Sequence, residues 1–399
     1  MKFSSKILKC QLSPVRKFNP CADQAVAAGR TIYHLNIGQP DVKTPESFYQ
    51  AVREFREPTL EYAPASGLPA YIDAVRGYYA KLGVKLERED ILATSGGGEA
   101  LEFIMACILD DGDELLVPEP FYANYNTFTF MSGGVIHPIP TSADNGYRFA
   151  DRKLIESQIN ERTRAILVTN PGNPTGVVLT HEELRTIADV AKEHNLFVIG
   201  DEVYREFVYG GEQLATIGQF EDINENAVII DSVSKRFSAC GARIGTIITR
   251  NKELQQNLMK FCQARLSVAT LDQIASAALY SVDSDYFDAV RKEYKLRRDT
   301  CYNKLLEIPG VVVKEPQGAF YMMAALPVDN ADTFQKWLLT DFDDNGDTVM
   351  FAPGEGFYAT PGKGLNEIRI AYVLKQKDLE RAMDLLALGI KKYNETHCK

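Results

Sequence analysis

Asp231-Ser-Val-Ser-Lys-Arg-Phe-Ser-Ala-Cys-Gly-Ala-Arg-Ile-Gly245 follows directly on an apolar stretch, Ala227-Val-Ile-Ile230, which has the composition of a buried strand. Burying an ammonium group without a partner is costly, so a lysine at the end of such a strand tends to lose its proton. A neutral lysine amine is a nucleophile that forms Schiff bases with aldehydes. Lys235 is therefore a candidate nucleophile.

The residues around Lys235 also form a candidate anion site. The hydroxyls of Ser232 and Ser234 precede and flank the lysine, and the guanidinium of Arg243 follows it. An aldehyde that carries a phosphate group would suit both the amine and this cradle, and pyridoxal phosphate is such a molecule. A lone lysine more often caps a strand and points to water, so the rest of the chain has to decide between the two interpretations.

Length, composition and charge limit the possible classes of protein. The 399 residues predict two or three domains, and 45% hydrophobic with 25% charged residues is typical of a globular protein. A net charge of -10 argues against a nucleic-acid partner. The N-terminus lacks a long apolar run, and no stretch approaches the roughly 20 apolar residues that span a bilayer. We therefore expect a cytoplasmic protein without a membrane anchor.

The seven cysteines argue against a zinc site or a disulfide framework, because they are scattered and none form a Cys-x-x-Cys pair. They are Cys10, Cys21, Cys107, Cys240, Cys262, Cys301 and Cys398. The acidic segment Asp341–Gly346 matches the first half of a calcium-binding EF-hand loop, but Ala352 stands where the bidentate Glu belongs. We predict an acidic turn there and no metal site.

Short apolar strands alternate with helices through the first two thirds of the chain. The strands read as continuous apolar runs, which is typical of a mainly parallel sheet covered by helices on both faces. Ligands of such sheets bind at the carboxyl ends of the strands. Asn173, Asp201 and Lys235 each lie just after a strand. One pocket is therefore expected to hold all three side chains.

Two further segments favour a phosphate ligand and a close backbone approach. A strand after Asp90 leads into Gly96-Gly-Gly98, and we predict a glycine turn followed by a helix that starts at about Glu99. Free N–H groups at a helix N-terminus bind phosphate well, although the glycines match neither the P-loop nor the dinucleotide fingerprint. Leu35–Asp41 is predicted to be a short strand that ends in a loop, where Gly38 would let a ligand approach the backbone.

Together these segments resemble the class I/II aminotransferases, which have the aspartate aminotransferase fold. The resemblance runs from Asn36-Ile-Gly-Gln-Pro to Ile368-Arg-Ile-Ala-Tyr and includes Ser232-Val-Ser-Lys235, Asn170-Pro-Gly-Asn173 and Asp201-Glu-Val-Tyr204. It implies pyridoxal phosphate as the cofactor and a large α/β domain with a mainly parallel, seven-stranded type of sheet. We predict the large domain at 45–285, and a smaller α+β domain formed by 1–44 and 286–399.

The resemblance also implies a role for each matching residue. Lys235 would hold the cofactor covalently, Asp201 would pair with its ring nitrogen, and Tyr204 with Asn173 would bind its ring oxygen. Tyr122 would stack on the ring. Gly97, Gly98, Ser232 and Arg243 would bind the phosphate, together with Tyr62 from the neighbouring subunit of a homodimer. Arg369 would bind the α-carboxylate of the substrate, with Asn173 and Gly38 beside it.

The implied reaction is the transfer of an amino group from an L-amino acid to a 2-oxo acid, with ping-pong kinetics and a role in amino acid metabolism or biosynthesis. A carbon–sulfur β-lyase or an aminocyclopropane carboxylate synthase-like enzyme shares the cofactor contacts and remains the alternative. A ligand-sensing regulator of this fold would carry an added DNA-binding domain, but the resemblance already begins at Asn36. Aspartate or glutamate is the first choice of substrate, with Arg265 as a candidate for binding the distal carboxylate; aromatic and neutral amino acids stay open.

Overall fold

The computed structural model describes residues 1–210 and 214–397 of the chain. Its strands are β1 Thr31–His34, β2 Ile91–Thr94, β3 Glu114–Pro118, β4 Val135–Ile139, β5 Thr163–Thr169, β6 Phe197–Asp201, β7 Ala227–Ser232, β8 Gly245–Ile248, β9 Val312–Val313, β10 Tyr321–Ala325, β11 Asp347–Met350, β12 Ala352–Pro353 and β13 Glu367–Ala371. Its α-helices are α1 Ser5–Lys9, α2 Asn19–Ala27, α3 Glu46–Glu54, α4 Pro69–Lys81, α5 Gly96–Ile108, α6 Asn124–Met131, α7 Arg152–Glu156, α8 His181–Glu193, α9 Val233–Arg236, α10 Lys252–Arg265, α11 Thr270–Leu279, α12 Ser284–Leu306, α13 Ala331–Thr340 and α14 Gln376–His397. Cys398 lies outside the described residues.

Seven strands form the central sheet in the order β2-β8-β7-β6-β5-β3-β4. The pairs from β7 through β6, β5 and β3 to β4 are parallel, whereas β8 is antiparallel to both of its neighbours. The prediction of an α/β fold with a mainly parallel, seven-stranded sheet is confirmed. Because β8 runs the other way, its beginning lies at the edge where the parallel strands end.

Both faces of this sheet are buried, as the apolar strands predict. In β5, Ile166 and Val168 belong to one core cluster and Ala165 and Leu167 to another, so successive side chains point to opposite faces. Helices α4 and α8 contribute to the first cluster, and α5 and α10 to the second. Each fully buried Val, Leu or Ile stabilises the fold by about 1.5–3 kcal/mol relative to exposure. This two-sided burial fixes the strand ends that carry the polar side chains.

A second core surrounds a four-stranded antiparallel sheet in the order β12-β13-β10-β9. It includes Phe320, Tyr372 and Leu385, and helices α12 and α14 pack against each other beside it. The N-terminal strand β1 pairs in parallel with β11, which joins the beginning of the chain to its last third. The domain limits at 45 and 285 stay a prediction.

Several element ends differ from the predicted ones. Helix α5 begins at Gly96, so the three glycines form its first turn rather than a separate turn before Glu99. Gly96 has a φ of +81°, and this left-handed conformation lets the chain pass from β2 into the helix with only Ser95 between them. The strand expected from Leu35 lies earlier, at Thr31–His34, where β-branched and aromatic side chains pair with β11. Helix α8 begins after Thr180, whose hydroxyl caps it by accepting from the N–H of Glu183.

Within residues 1–210 and 214–397, no helix is both long and apolar enough to cross a membrane. The same ranges hold no group of three or more His, Cys, Asp or Glu side chains placed to bind a metal ion. The segment that matches half of an EF-hand loop is a turn that leads into β11, closed by a bridge between Asp344 and Asp347.

Candidate active site

A cavity of about 260 Å³ lies at the edge of the sheet where the parallel strands end. Thr169, Asp201 and Ser232 reach it from the ends of β5, β6 and β7, and Arg243 reaches it from the residues just before β8. Every predicted site residue except Tyr62 lines this cavity: Gly38, Gly97, Gly98, Tyr122, Asn173, Asp201, Tyr204, Ser232, Lys235, Arg243 and Arg369.

Tyr62 lies apart from the cavity, in the loop before α4. Its side chain is 80% exposed, and it lines a shallow surface depression together with Ser267 and Thr270. A single chain therefore gives this tyrosine no contact with the predicted phosphate site. Its role across a subunit boundary stays a prediction.

Lys235 is held at the cavity by the short helix α9. Ser232 caps this helix, since its hydroxyl accepts from the N–H of Ser234 at 3.3 Å. The Nζ of Lys235 donates to the carbonyl of Gly38 at 3.0 Å, and the Sγ of Cys240 lies 3.9 Å away. A Cβ at Gly38 would lie 1.8 Å from the hydroxyl of Tyr321. Position 38 therefore requires glycine, and the lysine is bound by a backbone carbonyl rather than by a carboxylate.

Asp201 is a buried carboxylate that faces the cavity without a cation to balance it. Its Oδ2 accepts from the hydroxyl of Tyr125 at 2.6 Å, and no ion pair to it occurs in the part of the chain that the structure describes. Burial raises the pKa of Asp201 from 3.8 to about 6, although the hydrogen bond from Tyr125 works in the opposite direction. A protonated ring nitrogen in the cavity would supply the missing charge.

Arg369 is the buried counterpart of Asp201 on the other side of the cavity. Its Nη1 donates to Asn173 Oδ1 at 3.1 Å and its Nη2 donates to the carbonyl of Asn36 at 2.7 Å. Its Nε has no hydrogen-bond partner, and none of the described residues offers it an acidic side chain. Burial lowers the pKa of this guanidinium. A carboxylate of a ligand would satisfy both the charge and the unpaired N–H.

A chain of hydrogen bonds connects Arg369 to the rest of the cavity wall. Asn173, which accepts from Arg369, donates through Nδ2 to the hydroxyl of Tyr204 at 3.3 Å. The hydroxyl of Tyr204 lies 3.1 Å from that of Tyr321. Burial raises the pKa of Tyr204 well above 10, so its hydroxyl keeps its proton and can donate to a ligand oxygen. The wall is therefore held together before any ligand binds.

The predicted phosphate cradle lies where α5, α9 and the start of β8 meet. The backbone N–H groups of Gly97 and Gly98 belong to the first turn of α5, where no helical carbonyl can accept from them, and the side chain of Ser95 does not cap them. A Cβ at Gly96 would lie 2.5 Å from Nη2 of Arg243, so the missing side chain leaves room for that guanidinium. Free N–H groups, the Ser232 hydroxyl and a guanidinium fit a phosphate group.

Three residues that build the site, one behind the cavity wall and two that line the cavity, lack a motif in the sequence. Tyr125, in α6, supports Asp201, and Tyr321, at the start of β10, contacts Gly38, Tyr204 and Arg369. Arg16 reaches the cavity from the N-terminal segment. Nothing in the sequence pattern marks these three residues.

Arg265 does not line the cavity. Its Nη1 forms an ion pair with Glu99 Oε2 at 2.8 Å, and its Nη2 donates to the carbonyl of Ala65 at 3.0 Å. Within this chain the guanidinium of Arg265 is thus engaged outside the cavity, and its binding of a distal substrate carboxylate stays a prediction.

Comparisons with known proteins agree with this geometry. The family model for aminotransferases of class I and II matches residues 30–386. The chain is 28% identical to an aspartate aminotransferase of Bacillus subtilis, covering 100% of both chains, and 31% identical to one of Pyrococcus horikoshii, covering 88% of this chain and 89% of that protein. The solved structure of an alanine aminotransferase from Pyrococcus furiosus has a TM-score of 0.90 at 30% identity and covers 98% of this chain and 100% of that one.

Proposed function

Because the chain belongs to the class I and II aminotransferases, a family of pyridoxal-phosphate-dependent transaminases, we propose that its substrates are dicarboxylic amino acids of the aspartate or glutamate type. The names of the two relatives above support this choice. The observation that carries it is the charge of the cavity. Among the described residues, four cations line it, Arg16, Lys235, Arg243 and Arg369, against one carboxylate, that of Asp201. In a chain with a net charge of -10, this local excess favours an anionic substrate.

The lining residues fit pyridoxal phosphate. When bound, the cofactor supplies an electron sink that stabilises negative charge on the substrate's α-carbon. Asp201 would hold the ring nitrogen in its protonated form, and Tyr204 and Asn173 would donate to the ring oxygen. Tyr122 would cover one ring face. Phosphate contacts would come from the N–H groups of Gly97 and Gly98, the Ser232 hydroxyl and Arg243.

Lys235 would carry the proton transfer. With the cofactor bound, the neutral Nζ of Lys235 would take the proton from the substrate's α-carbon as a general base and return it elsewhere as a general acid. The planar fork of Arg369 would bind the α-carboxylate and so fix which bond at the α-carbon faces Lys235. The aromatic side chains of Tyr321 and Phe357, 4.5 and 4.9 Å from the Arg369 guanidinium, would limit the access of water.

Assembly and location complete the proposal. An exposed Tyr62 would contribute to the phosphate site of a second copy, which makes the enzyme a homodimer with shared active sites. Burying this largely exposed aromatic side chain against another subunit would also be favourable. We infer a cytoplasmic location from the scattered cysteines, since the six that the structure describes are all free thiols.

An absorbance titration of the purified holoenzyme tests the substrate. Aspartate, glutamate and alanine are added separately without any oxo acid. We expect the cofactor band near the visible edge to shift with aspartate and glutamate at much lower concentrations than with alanine, and to return on addition of oxaloacetate or 2-oxoglutarate. A band that responds only to neutral or aromatic amino acids would overturn the substrate class and leave the family assignment intact.

A further inference from the structure

One of the four cavity cations has no role in the mechanism above. Lys235, Arg243 and Arg369 are assigned to the cofactor, its phosphate and the α-carboxylate. Arg16 lines the same cavity, and across residues 1–210 and 214–397 its guanidinium has no hydrogen bond or ion pair. A cation that faces a ligand cavity and has no partner among the described residues is available to an anionic group of the ligand.

The segment that carries Arg16 is fixed on both sides. Residues Pro14–Arg16 form a 3-10 turn, and the Arg16 N–H donates to the carbonyl of Ser13 at 3.0 Å. Pro14 packs so closely on Gly356 that a Cβ at Gly356 would lie 2.3 Å from the Cβ of Pro14. Two residues after Arg16, the ring of Phe18 is buried in a small core cluster. The backbone at Arg16 is thus held against the wall of the cavity.

The same asparagine supports this turn and the α-carboxylate site. Asn36 Nδ2 donates to the carbonyl of Val15 at 3.0 Å, and the carbonyl of Asn36 accepts from Arg369 at 2.7 Å. One residue therefore fixes the backbone beside Arg16 and the guanidinium of Arg369. Asn36 thus connects the positions of Arg16 and Arg369 at one cavity, and two arginines at one cavity suit a ligand with two carboxylates.

We propose that Arg16 binds the distal carboxylate of a dicarboxylic substrate whose α-carboxylate is bound by Arg369. This inference rests on the proposed function and deepens it, because it names the side chain that selects aspartate or glutamate over neutral amino acids. It also replaces Arg265, whose guanidinium is engaged by Glu99.

The chain offers a matched control next to Arg16. Lys17 carries the same charge but does not line the cavity, and its Nζ forms an ion pair with Asp332 at 2.7 Å. Arg16→Gln and Lys17→Gln remove one positive charge each from adjacent positions. Arg16→Lys keeps the charge and removes only the planar fork that binds a carboxylate at two points.

The first measurement is kcat/KM for aspartate and for alanine with the holoenzyme. We expect Arg16→Gln to lower the aspartate-to-alanine ratio by about 10- to 100-fold, which is the range for losing a hydrogen bond to a charged group. Arg16→Lys should give an intermediate ratio, and Lys17→Gln should stay within about twofold of wild type, as surface charges contribute little.

The second measurement is binding without reaction. Succinate has two carboxylates but no amino group, and propionate has one carboxylate, so each can be titrated against the cofactor absorbance. Arg16→Gln should raise the Kd of succinate at least about tenfold relative to that of propionate. A structural role of Arg16 would instead change both constants alike.

The outcomes separate the two proposals. Suppose that the wild-type enzyme prefers aspartate. If Arg16→Gln then leaves the aspartate-to-alanine ratio of kcat/KM unchanged, or lowers kcat/KM equally for both, the role of Arg16 is overturned. The proposal of a dicarboxylic substrate is not affected by that result. A wild-type enzyme that does not react with aspartate or glutamate would overturn both.

Discussion

Two layers of buried charge lie side by side at the ends of β6 and β7, and only one of them is neutralised within the chain. The first layer, the cavity layer, includes Asp201 and Lys235, which line the cavity. The second layer lies behind it and includes the residues that follow them in the chain, Glu202 and Arg236, which are buried. In that second layer Arg236 pairs with Asp231 at 2.5 Å, and Arg205 pairs with Glu202 at 3.6 Å. The cavity layer has no such pairs among the described residues.

The difference shows what each layer contributes. Taking charges out of water is unfavourable unless a countercharge accompanies them. The second layer supplies its own countercharges and so supports the floor beneath Lys235. The cavity layer leaves Asp201 and Arg369 without countercharges, which a cofactor nitrogen and a substrate carboxylate would supply. Substitutions in the second layer should therefore change stability, and those in the cavity should change chemistry.

The largest effect is expected from Lys235→Ala. Without the amine there is neither a covalent link to the cofactor nor a group to move the α-proton, so kcat should fall more than about 1,000-fold. Because the hydrogen bonds of the Lys235 amine to described residues go to Gly38 and Cys240 alone, the thermal midpoint of the cofactor-free protein should change little. Turnover and thermal unfolding of the same preparations check both parts.

Added methylamine provides the control for Lys235→Ala. A small primary amine can enter the vacated space and should restore part of the rate in proportion to its concentration. If the variant turns over within about tenfold of wild type without added amine, the assignment of Lys235 as the proton carrier is wrong.

The second-largest effect is expected from Arg236→Met in the paired layer. The substitution keeps an unbranched side chain but leaves the Asp231 carboxylate buried with only the Tyr79 hydroxyl and the Ser232 N–H as partners. Breaking a buried pair costs about 3–5 kcal/mol, so the urea midpoint should fall strongly. The double variant Asp231→Asn/Arg236→Met removes both charges and should be more stable than the single variant. Equal midpoints for the two would mean that the pair is not coupled.

The third prediction concerns the pH dependence of Asp201→Asn in the cofactor-free protein. Since the pKa is raised from 3.8 to about 6, the folded protein retains a proton that the unfolded chain has lost between these pH values. Wild-type stability should therefore fall as the pH rises through this window and level off above it. Asparagine does not titrate, so the stability of Asp201→Asn relative to wild type should increase by about 2 kcal/mol between pH 4 and pH 7.

Denaturation of both proteins at several pH values checks this prediction, and a difference that does not depend on pH would contradict it. The same variant should lose more than about 100-fold in turnover, because the ring nitrogen loses its anionic partner. Higher stability combined with lower activity at pH 7 would identify Asp201 as a member of the cavity layer.

The sequence predicts the cavity layer far better than its supports. Asp201 and Lys235 follow apolar strands, and the rule that ligands bind at the carboxyl edge of a parallel sheet is enough to place both in one pocket. Tyr321 has no comparable signal, because it comes from a different sheet and lies 117 residues from its partner Tyr204. Arg16 comes from a segment without periodicity, whose path depends on packing against Gly356.

Local conformational propensity explains why the helix ends are harder to predict than the strands. The glycines before Glu99 suggested a turn, since glycine disfavours helix interiors, but at the first helical positions that cost is outweighed by packing of α5 on the sheet. Helix α3 ends at Glu54, near Pro58, because a proline disfavours the helical conformation of the residue before it. The ends of the helices depend on this competition between local propensity and packing, whereas the order of the strands along the chain is predicted by long apolar runs.

The smallest effect is expected from Arg265→Gln, which compares a paired cation with the unpaired Arg16. Arg265 and Glu99 are each 15% exposed, so their pair lies between the surface and buried cases and its loss should cost about 1 kcal/mol. Glu99 remains near the positive end of α5 and still accepts from the N–H of Ser95 at 2.8 Å, which limits the cost. The aspartate-to-alanine ratio of kcat/KM should stay within about twofold of wild type, because a guanidinium engaged by Glu99 is not available to a substrate. If Arg265→Gln instead lowers kcat/KM for aspartate but not for alanine, a paired cation can exchange its partner for a ligand. The distinction between paired and unpaired charges would then no longer predict which charges act on the substrate.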